Sequence, residues 1–175
     1  MEKTLKSSSL NYGIYLGLVL AAFTILGYVM LDLFTQWWFG ILMLLVILVF
    51  GIVSSMSARK LLGGFISFKE AFTAYFITVL VGLLIGTLVS FVIFNVVDPD
   101  ASAVLQDKII ETQIEMMQNF GTPQEAIDTA IAEARATNMY SIGNLAKSLA
   151  FQLIGYSIAG LLVALVVKKN DPHAA

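Results

Sequence analysis

The sequence has no cysteine, one histidine and few charged side chains among its 175 residues. The lack of cysteine excludes disulfide bonds and thiolate metal sites. Charged residues make up 13% of the chain, whereas a soluble domain has about 25%. With a net charge of −2, the chain has no excess of basic residues for a nucleic-acid partner. Hydrophobic residues make up 58% of the chain, and this composition indicates a membrane protein.

Four runs of the sequence contain no charged residue and are long enough to cross a membrane. About 20 helical residues cross the ~30 Å hydrocarbon core of a bilayer. The runs cover residues 10–31, 37–58, 71–97 and 148–167, with lengths of 22, 22, 27 and 20 residues. We therefore predict an all-α fold, a four-transmembrane-helix bundle forming a single membrane domain, residues 1–175. The predicted transmembrane helices cover about 10–32, 37–58, 69–97 and 146–167.

Local signals support these boundaries. The first run exceeds the roughly 7–15 apolar residues of a secretory signal peptide, which is the alternative interpretation of this run. Gly63 and Gly64 break the chain after the second helix. Ser67 and Glu70 have the spacing of a capping box, so the third helix is predicted to begin there. Residues 170–175 are predicted to form a disordered tail.

Residues 98–144 differ from the rest of the chain because they are polar and acidic. They contain eight acidic side chains and only two basic ones. Apolar residues recur at helical spacing within 101–120, which predicts an amphipathic helix. Gly121 ends that helix, and a second helix is predicted to start with Thr122 as N-cap and Pro123 at its first position. This segment is therefore predicted to be an amphipathic helical hairpin between transmembrane helices three and four.

The basic residues predict the orientation, because Lys and Arg in short loops favour the cytoplasmic side. They occur near both termini and between helices two and three: Lys3, Lys6, Arg59, Lys60, Lys69, Lys168 and Lys169. An even number of transmembrane helices places both termini on one side. We therefore predict cytoplasmic termini and an extracytoplasmic hairpin, residues 98–144.

Small and polar residues recur along three of the helices at spacings that favour close packing in lipid. These helix-packing candidates are Gly13, Gly17, Thr78, Gly82, Gly86, Ser90, Gln152, Gly155 and Ala159. The ridge from Thr78 to Ser90 has three interpretations: packing within the chain, a seam between two copies, or the polar lining of a conduit. Gln152 lies inside the membrane, where its amide is expected to find a hydrogen-bond partner on another helix.

The sequence contains no pattern of residues that indicates catalysis. No aspartate, glutamate, histidine, lysine or arginine lies inside the four runs, which argues against a proton-coupled carrier. Phosphate-binding loops, zinc-protease motifs and nucleophile elbows are absent from the sequence. Asp107, Glu111 and Glu115 share one helix face, but carboxylates in such a stripe are usually just solvated. We therefore predict no enzymatic activity, no cofactor and no metal site.

The order and spacing of several short motifs resemble a known family. The motifs are Asn11-Tyr12-Gly13, residues 64–72 (GFISFKEAF), Asp98-Pro99, Met117, residues 121–125 (GTPQE) and Lys168-Lys169. Together they resemble the bacterial membrane proteins grouped as domain of unknown function 4199, over nearly the whole chain. The resemblance implies a multi-pass protein of the bacterial inner membrane. It implies no activity and no functional residues.

Two main functional hypotheses follow, and a third, a membrane-embedded enzyme, would need several polar groups to converge in the structure. The first is a small non-enzymatic interaction or accessory protein of the cell envelope, which contacts the lipid bilayer. Its partner would be a second copy of the chain or another envelope protein, bound through residues 98–144 or through a helix seam. The alternative is a transport or channel component that acts as an oligomer, with the ridge from Thr78 to Ser90 as its lining.

Overall fold

Six α-helices form in the part of the chain that the structure describes. The structure is a computed structural model and describes residues 2–169. The predicted disordered tail, residues 170–175, lies outside the described residues. The helices are α1 (Glu2–Val29), α2 (Trp37–Leu61), α3 (Phe68–Val92), α4 (Pro99–Asn119), α5 (Gln124–Ala136) and α6 (Ile142–Val167). A 3-10 turn, Leu31–Thr35, joins α1 to α2, and a π-helical turn, Ile93–Val97, joins α3 to α4.

Four of these helices are long and apolar enough to cross a membrane. They are α1, α2, α6 and α3 together with its π-helical turn. This arrangement confirms the predicted all-α fold with four membrane-spanning helices. α4 and α5, which lie between the third and fourth of them in the chain, are too polar to cross a membrane and match the segment predicted to be helical.

The first helix differs from its predicted bounds at both ends. α1 begins at Glu2 rather than at about residue 10, because glutamate, lysine and serine are compatible with a helix even where the chain is unsuited to lipid. It ends at Val29 rather than at residue 32. There the chain tightens into the 3-10 turn, and a Cβ added to Gly27 would lie 2.4 Å from the Phe34 ring. The turn therefore packs directly on the end of α1.

α3 is the central helix and packs against α1, α2 and α6. Its Tyr75 side chain is fully buried. A Cβ added to Gly51 of α2 would lie 2.4 Å from the Tyr75 ring, and one added to Gly160 of α6 would lie 2.5 Å from it. The ring thus fits between two helices that can approach it only because they carry glycine at these positions.

Buried hydroxyl groups connect three of the helices. The Thr78 hydroxyl lies 3.0 Å from the Ser9 carbonyl oxygen of α1 and 2.7 Å from the Ser54 hydroxyl of α2. Ser55 of α2 donates to the Ala71 carbonyl of α3 at 3.0 Å. In a membrane, such bonds between helices contribute about 1 kcal/mol each. They fix α1, α2 and α3 to one another in the half of the bundle nearer the N-terminus.

The turn between α2 and α3 follows the sequence signals closely. Gly63 and Gly64 have φ angles of 79° and 94°, in the left-handed region that favours glycine. The Ser67 side chain accepts from the Glu70 N–H, and the Glu70 carboxylate accepts from the Ser67 N–H. The predicted capping box is thus confirmed.

The same turn is bound to the end of α6. Ile66 and Lys169 exchange two backbone hydrogen bonds, each 2.9 Å long. The Arg59 guanidinium at the end of α2 donates to the Val167 carbonyl at 3.4 Å, where a positive charge complements the helix dipole. The basic residues at the end of α2, at the start of α3 and at the end of α6 therefore lie at one end of the bundle.

The turn between α4 and α5 differs from the prediction. Gly121 has a φ of 71° and donates to the Gln118 carbonyl, while Thr122 donates to the Met117 carbonyl. These two bonds form a Schellman motif that ends α4. Thr122 is not the N-cap of α5, which begins at Gln124, one residue later than predicted. Pro123 occupies the N-cap position, and no side chain caps the helix.

Candidate functional site

Five of the predicted helix-packing residues lie between α1 and α3. A Cβ added to Gly13 would lie 2.7 Å from Val81, and one added to Gly17 would lie 2.6 Å from Ile85. Conversely, Leu16 of α1 packs against Gly82 of α3, and a Cβ added to Gly82 would lie 2.4 Å from the Leu16 side chain. Gly86 fits Leu20 in the same way at 3.2 Å. Thr78, the fifth, is fully buried and bonded. These residues bring the backbones of α1 and α3 close together within one chain.

The part of the Thr78–Ser90 ridge nearer Ser90 also borders a cleft between the membrane-spanning helices. The cleft has a volume of about 170 Å³ and is lined by residues of α1, α2, α3 and α6 together with Tyr140. Its lining residues are Leu20, Thr24, Met43, Ile47, Leu83, Gly86, Thr87, Ser90, Tyr140, Leu145, Ser148 and Gln152. We name this space the polar cleft. Gly86, Ser90 and Gln152 are therefore brought together, whereas Thr78 and Gly82 lie outside the lining.

Most polar side chains of the polar cleft have no partner in the protein. Within residues 2–169, the side chains of Thr87, Ser90, Ser148 and Gln152 make no hydrogen bond. Thr24 differs, because its hydroxyl donates to the Leu20 carbonyl at 2.9 Å. The expected interhelical hydrogen bond of Gln152 is therefore not formed, since this side chain faces the cleft and is exposed. Four polar groups remain available to a molecule inside the cleft.

Apolar residues close the polar cleft toward the middle of the bundle. Leu20, Ile47 and Leu83 line the cleft and belong to the buried cluster that also contains Tyr75 and Val79. The Tyr75 hydroxyl is buried, and among the described residues it has no hydrogen-bond partner. The cleft therefore borders the buried apolar core around Tyr75, and its lining includes neither Thr78 nor Ser54.

At its other end the polar cleft adjoins a larger groove beside α4 and the first turns of α6. This groove has a volume of about 530 Å³, and it shares Tyr140, Leu145 and Ser148 with the lining of the cleft. Its lining is mainly apolar and also includes the polar side chains Gln106 and Lys147. We name it the outer groove. A molecule in the outer groove can reach the polar cleft past three shared side chains.

Tyr140 separates the two spaces. Its ring stacks on Phe94 with the centroids 4.4 Å apart, and its carbonyl accepts from the Asn95 side chain at 3.0 Å. Burial raises the pKa of the Tyr140 phenol far above its usual value, so the hydroxyl is neutral at physiological pH. The entrance to the cleft is therefore aromatic, polar and uncharged.

The remaining predicted candidates lie at the edge of the bundle. No atom lies within 4 Å of a Cβ added to Gly155, and Ala159 is half-buried. The structure therefore does not place Gly155 in a close-packed seam within the chain. Among the functional residues, Tyr140 was missed by sequence reasoning, because a tyrosine in a polar link carries no signal of its position. The sequence shows that Thr87 and Ser148 are intramembrane polar residues. Only the fold shows that their hydroxyls make no hydrogen bond within the described chain and line the cleft.

Polar contacts hold α4 against the mouth of the bundle. The Tyr28 hydroxyl of α1 donates to Asp98 at 2.9 Å, and Asp98 also accepts from the Ala101 N–H at the start of α4. Lys108 of α4 forms an ion pair with Asp32 of the 3-10 turn. These contacts join the segment of α4 and α5 to both α1 and the α1–α2 turn.

The arrangement offers hydrogen bonding in an uncharged environment rather than acid–base chemistry. Among the residues that line the polar cleft, only the neutral Tyr140 can ionise. Within residues 2–169, no group of three or more histidine, aspartate or glutamate residues could hold a metal ion. The cleft can therefore bind a polar molecule but supplies no ionised side chain within its lining.

Taken together, the fold and the cleft define a multi-pass α-helical membrane protein with an uncharged polar cleft between its membrane-spanning helices. The family described as "Protein of unknown function (DUF4199)" matches residues 11–169. The chain therefore belongs to this family, as its motifs indicated. Neither a curated protein nor a solved structure matches the chain.

Proposed function

We propose that this protein is a non-enzymatic interaction protein of the bacterial cell envelope, which binds another envelope protein through α4 and α5. The observation that carries the proposal is the uneven exposure of this segment. Its first half is anchored to the bundle through Asp98, which accepts from Tyr28, and through Leu105, which is buried in a cluster with Phe94. At its far end, Phe120 is 83% exposed and Met116 is 53% exposed. An anchored segment with an uncovered apolar tip is suited to binding a partner.

Charge indicates the kind of partner. The exposed surface of α4 and α5 carries acidic side chains at Asp107, Glu111, Glu115, Glu125, Asp128 and Glu133. Opposite charges favour the encounter of two proteins and fix their register. We therefore expect the partner to present a basic surface around an apolar pocket that receives Phe120. A second copy of this chain is the less suitable partner, because its own α4–α5 surface is acidic as well.

Photo-crosslinking in cells tests this function. A photoreactive amino acid at Gln118, which is exposed and close to Phe120, should give a discrete crosslinked product. The product should be lost in Phe120→Asp, because the charge prevents burial of the tip. The same photoreactive residue at Leu61, at the opposite end of the bundle, is the control. A product at twice the chain mass would identify a second copy as the partner, and a product unaffected by Phe120→Asp would refute the proposal.

The location of this surface is part of the proposal. We place α4 and α5 on the extracytoplasmic side of the inner membrane, with both termini in the cytoplasm. The basic end of the bundle, with Arg59, Lys60 and Lys169, supports this orientation. Since the chain lacks cysteine, single cysteines at Gln118 and Leu61 report topology cleanly. An impermeant thiol reagent outside the membrane should label only the first, and labelling of only the second would reverse the orientation.

The polar cleft supports a second candidate function, a component of a transport system. All four membrane-spanning helices contribute to its lining, as in sites that open alternately to each side of a membrane. Swelling of proteoliposomes in neutral solutes measures such transport. Ser90→Leu should abolish the flux, while the lipid-facing Leu88→Ala should leave it unchanged. Gly82→Leu is unsuitable for this test, because Gly82 contacts Leu16 in the α1–α3 interface and its substitution perturbs the fold.

A further inference from the structure

Two groups of hydroxyls in this bundle differ in bonding. Where helices pack closely, the hydroxyls of Ser9, Ser54 and Thr78 all take part in hydrogen bonds within the protein. In the polar cleft, Thr87 and Ser90 make none within the described chain. A helical serine or threonine can readily bond the carbonyl four residues earlier. Hydroxyls that face a cavity without doing so retain both a donor and an acceptor for a bound molecule.

The polar cleft has the size of a small solute. Its volume is about 170 Å³, which equals about six water molecules at ~30 Å³ each. One solute with about four to six non-hydrogen atoms, such as urea or glycerol, fits a space of this size. Leu20, Ile47 and Leu83 form the apolar wall of the cleft on the side of the buried core.

Charge further restricts what the cleft accepts. No ionised side chain lines it, and Lys147 stands at the outer groove rather than in the cleft. A charged group placed within the membrane without a counter-charge costs about 2.5–3.5 kcal/mol or more. Both cations and anions are therefore disfavoured. Neutral molecules with hydroxyl or amide groups can form hydrogen bonds with Gln152 and Ser148 of α6 and with Thr87 and Ser90 of α3.

We propose that the polar cleft is a binding site for a small, uncharged, polar solute that enters through the outer groove past Tyr140. The solute class comprises small polyols and amides, which carry donors and acceptors on adjacent atoms. Its hydrogen bonds go to Thr87, Ser90, Ser148 and Gln152. This site is separate from the α4–α5 surface that binds a protein partner. Binding at this site does not require transport, because a solute can bind in a cleft that never opens to the other side of the membrane.

Cysteine reactivity in lipid nanodiscs tests both access and charge selection. Ser90→Cys and Ser148→Cys each remove one hydroxyl and leave three polar groups in the cleft. Ala146→Cys, on the exposed surface of the same first turns of α6, is the matched control. Each purified protein reacts with three methanethiosulfonates, which carry a neutral methyl, an anionic sulfonatoethyl or a cationic trimethylammonioethyl group. Comparing the reagents at one cysteine cancels differences in thiol ionisation.

The expected result is a charge preference confined to the cleft. After normalisation to Ala146→Cys, the neutral reagent should react with Ser90→Cys at least about tenfold faster than either charged reagent, given the cost of charge at this depth. Molar glycerol or urea should slow the reaction at Ser90→Cys and Ser148→Cys more than at Ala146→Cys. Equal rates for the three reagents at both cleft cysteines would overturn the proposal. No protection by either solute would also overturn it, as would the absence of any reaction in variants that elute as folded protein.

Discussion

The tight contact between α1 and α3 leads to a quantitative prediction about Gly82. A Cβ at this position would lie 2.4 Å from Cδ2, 2.5 Å from Cγ and 3.0 Å from Cβ of Leu16. Leu16 is fully buried, so its side chain has no free space into which it can turn. The substitution Gly82→Ala therefore forces the two helices apart. We expect it to lower the free energy of unfolding.

Comparison with a second glycine isolates the steric cost. Alanine favours a helix over glycine by about 1 kcal/mol in water, and this gain applies equally to Gly155→Ala, where nothing lies within 4 Å. The difference between the two variants is thus the cost of overpacking, about 1–3 kcal/mol. Gly86→Ala should fall between them, because its nearest contact, Leu20 Cβ, is 3.2 Å away.

Reversible unfolding in mixed micelles, by titration with sodium dodecyl sulfate and with circular dichroism as readout, measures these differences. The expected order of stability is Gly155→Ala, then Gly86→Ala, then Gly82→Ala. In Leu16→Ala, the second mutation Gly82→Ala should be tolerated better than in the native chain, with a coupling energy of about 0.5–3 kcal/mol. Equal stabilities of Gly82→Ala and Gly155→Ala would refute the reasoning, because the interface would then not be close-packed.

Three further predictions use the same unfolding assay. Tyr75→Phe should leave stability unchanged or raise it by up to about 1–3 kcal/mol, because the lost hydroxyl is buried without a partner; a clear loss would mean that the hydroxyl is bonded. Asp98→Ala should cost about 1–2 kcal/mol, since this residue caps α4 and accepts from Tyr28, whereas the neighbouring Asp100→Ala should cost less. Lys108→Gln should cost at most about 1 kcal/mol and nothing at high salt, because the pair with Asp32 is largely exposed; a large, salt-independent loss would contradict this.

The helices and several of their ends could be predicted from the sequence, because these features depend on local composition. Uncharged runs mark the four membrane-spanning helices, and the family follows from short motifs in order. The capping box of Ser67 and Glu70 and the break at Gly63 also depend on residues close in the chain, so their spacing is a reliable signal. Thr122 shows the limit of such signals. Its spacing fits an N-cap, but α5 begins one residue later than that spacing predicts, with Pro123 in the N-cap position.

The candidate site could be predicted only in part, because it depends on the distance between helices. The even spacing from Thr78 to Ser90 on α3 correctly indicates one face of the helix. It does not indicate that Gly82 contacts Leu16 while Ser90 borders a cavity. The position of Gln152 is likewise set by how α6 lies relative to α2. Helix periodicity predicts which residues share one face of a helix. It does not predict where the facing surfaces of two neighbouring helices move apart and leave a cavity.

The two ends of the bundle therefore differ in what they can do, although they are built from the same residue types. Near the basic end, Thr78 and Ser54 bond across helices, and Ile66 pairs with Lys169. At the acidic end, Ser90 and Gln152 face a cavity, and the stacked ring of Tyr140 is one of the three side chains between this cavity and the outer groove. Elements with few mutual contacts open at lower free energy than close-packed ones. Any solute or partner that changes the shape of this protein should therefore act from the acidic end, with the α1–α3 interface as the fixed part.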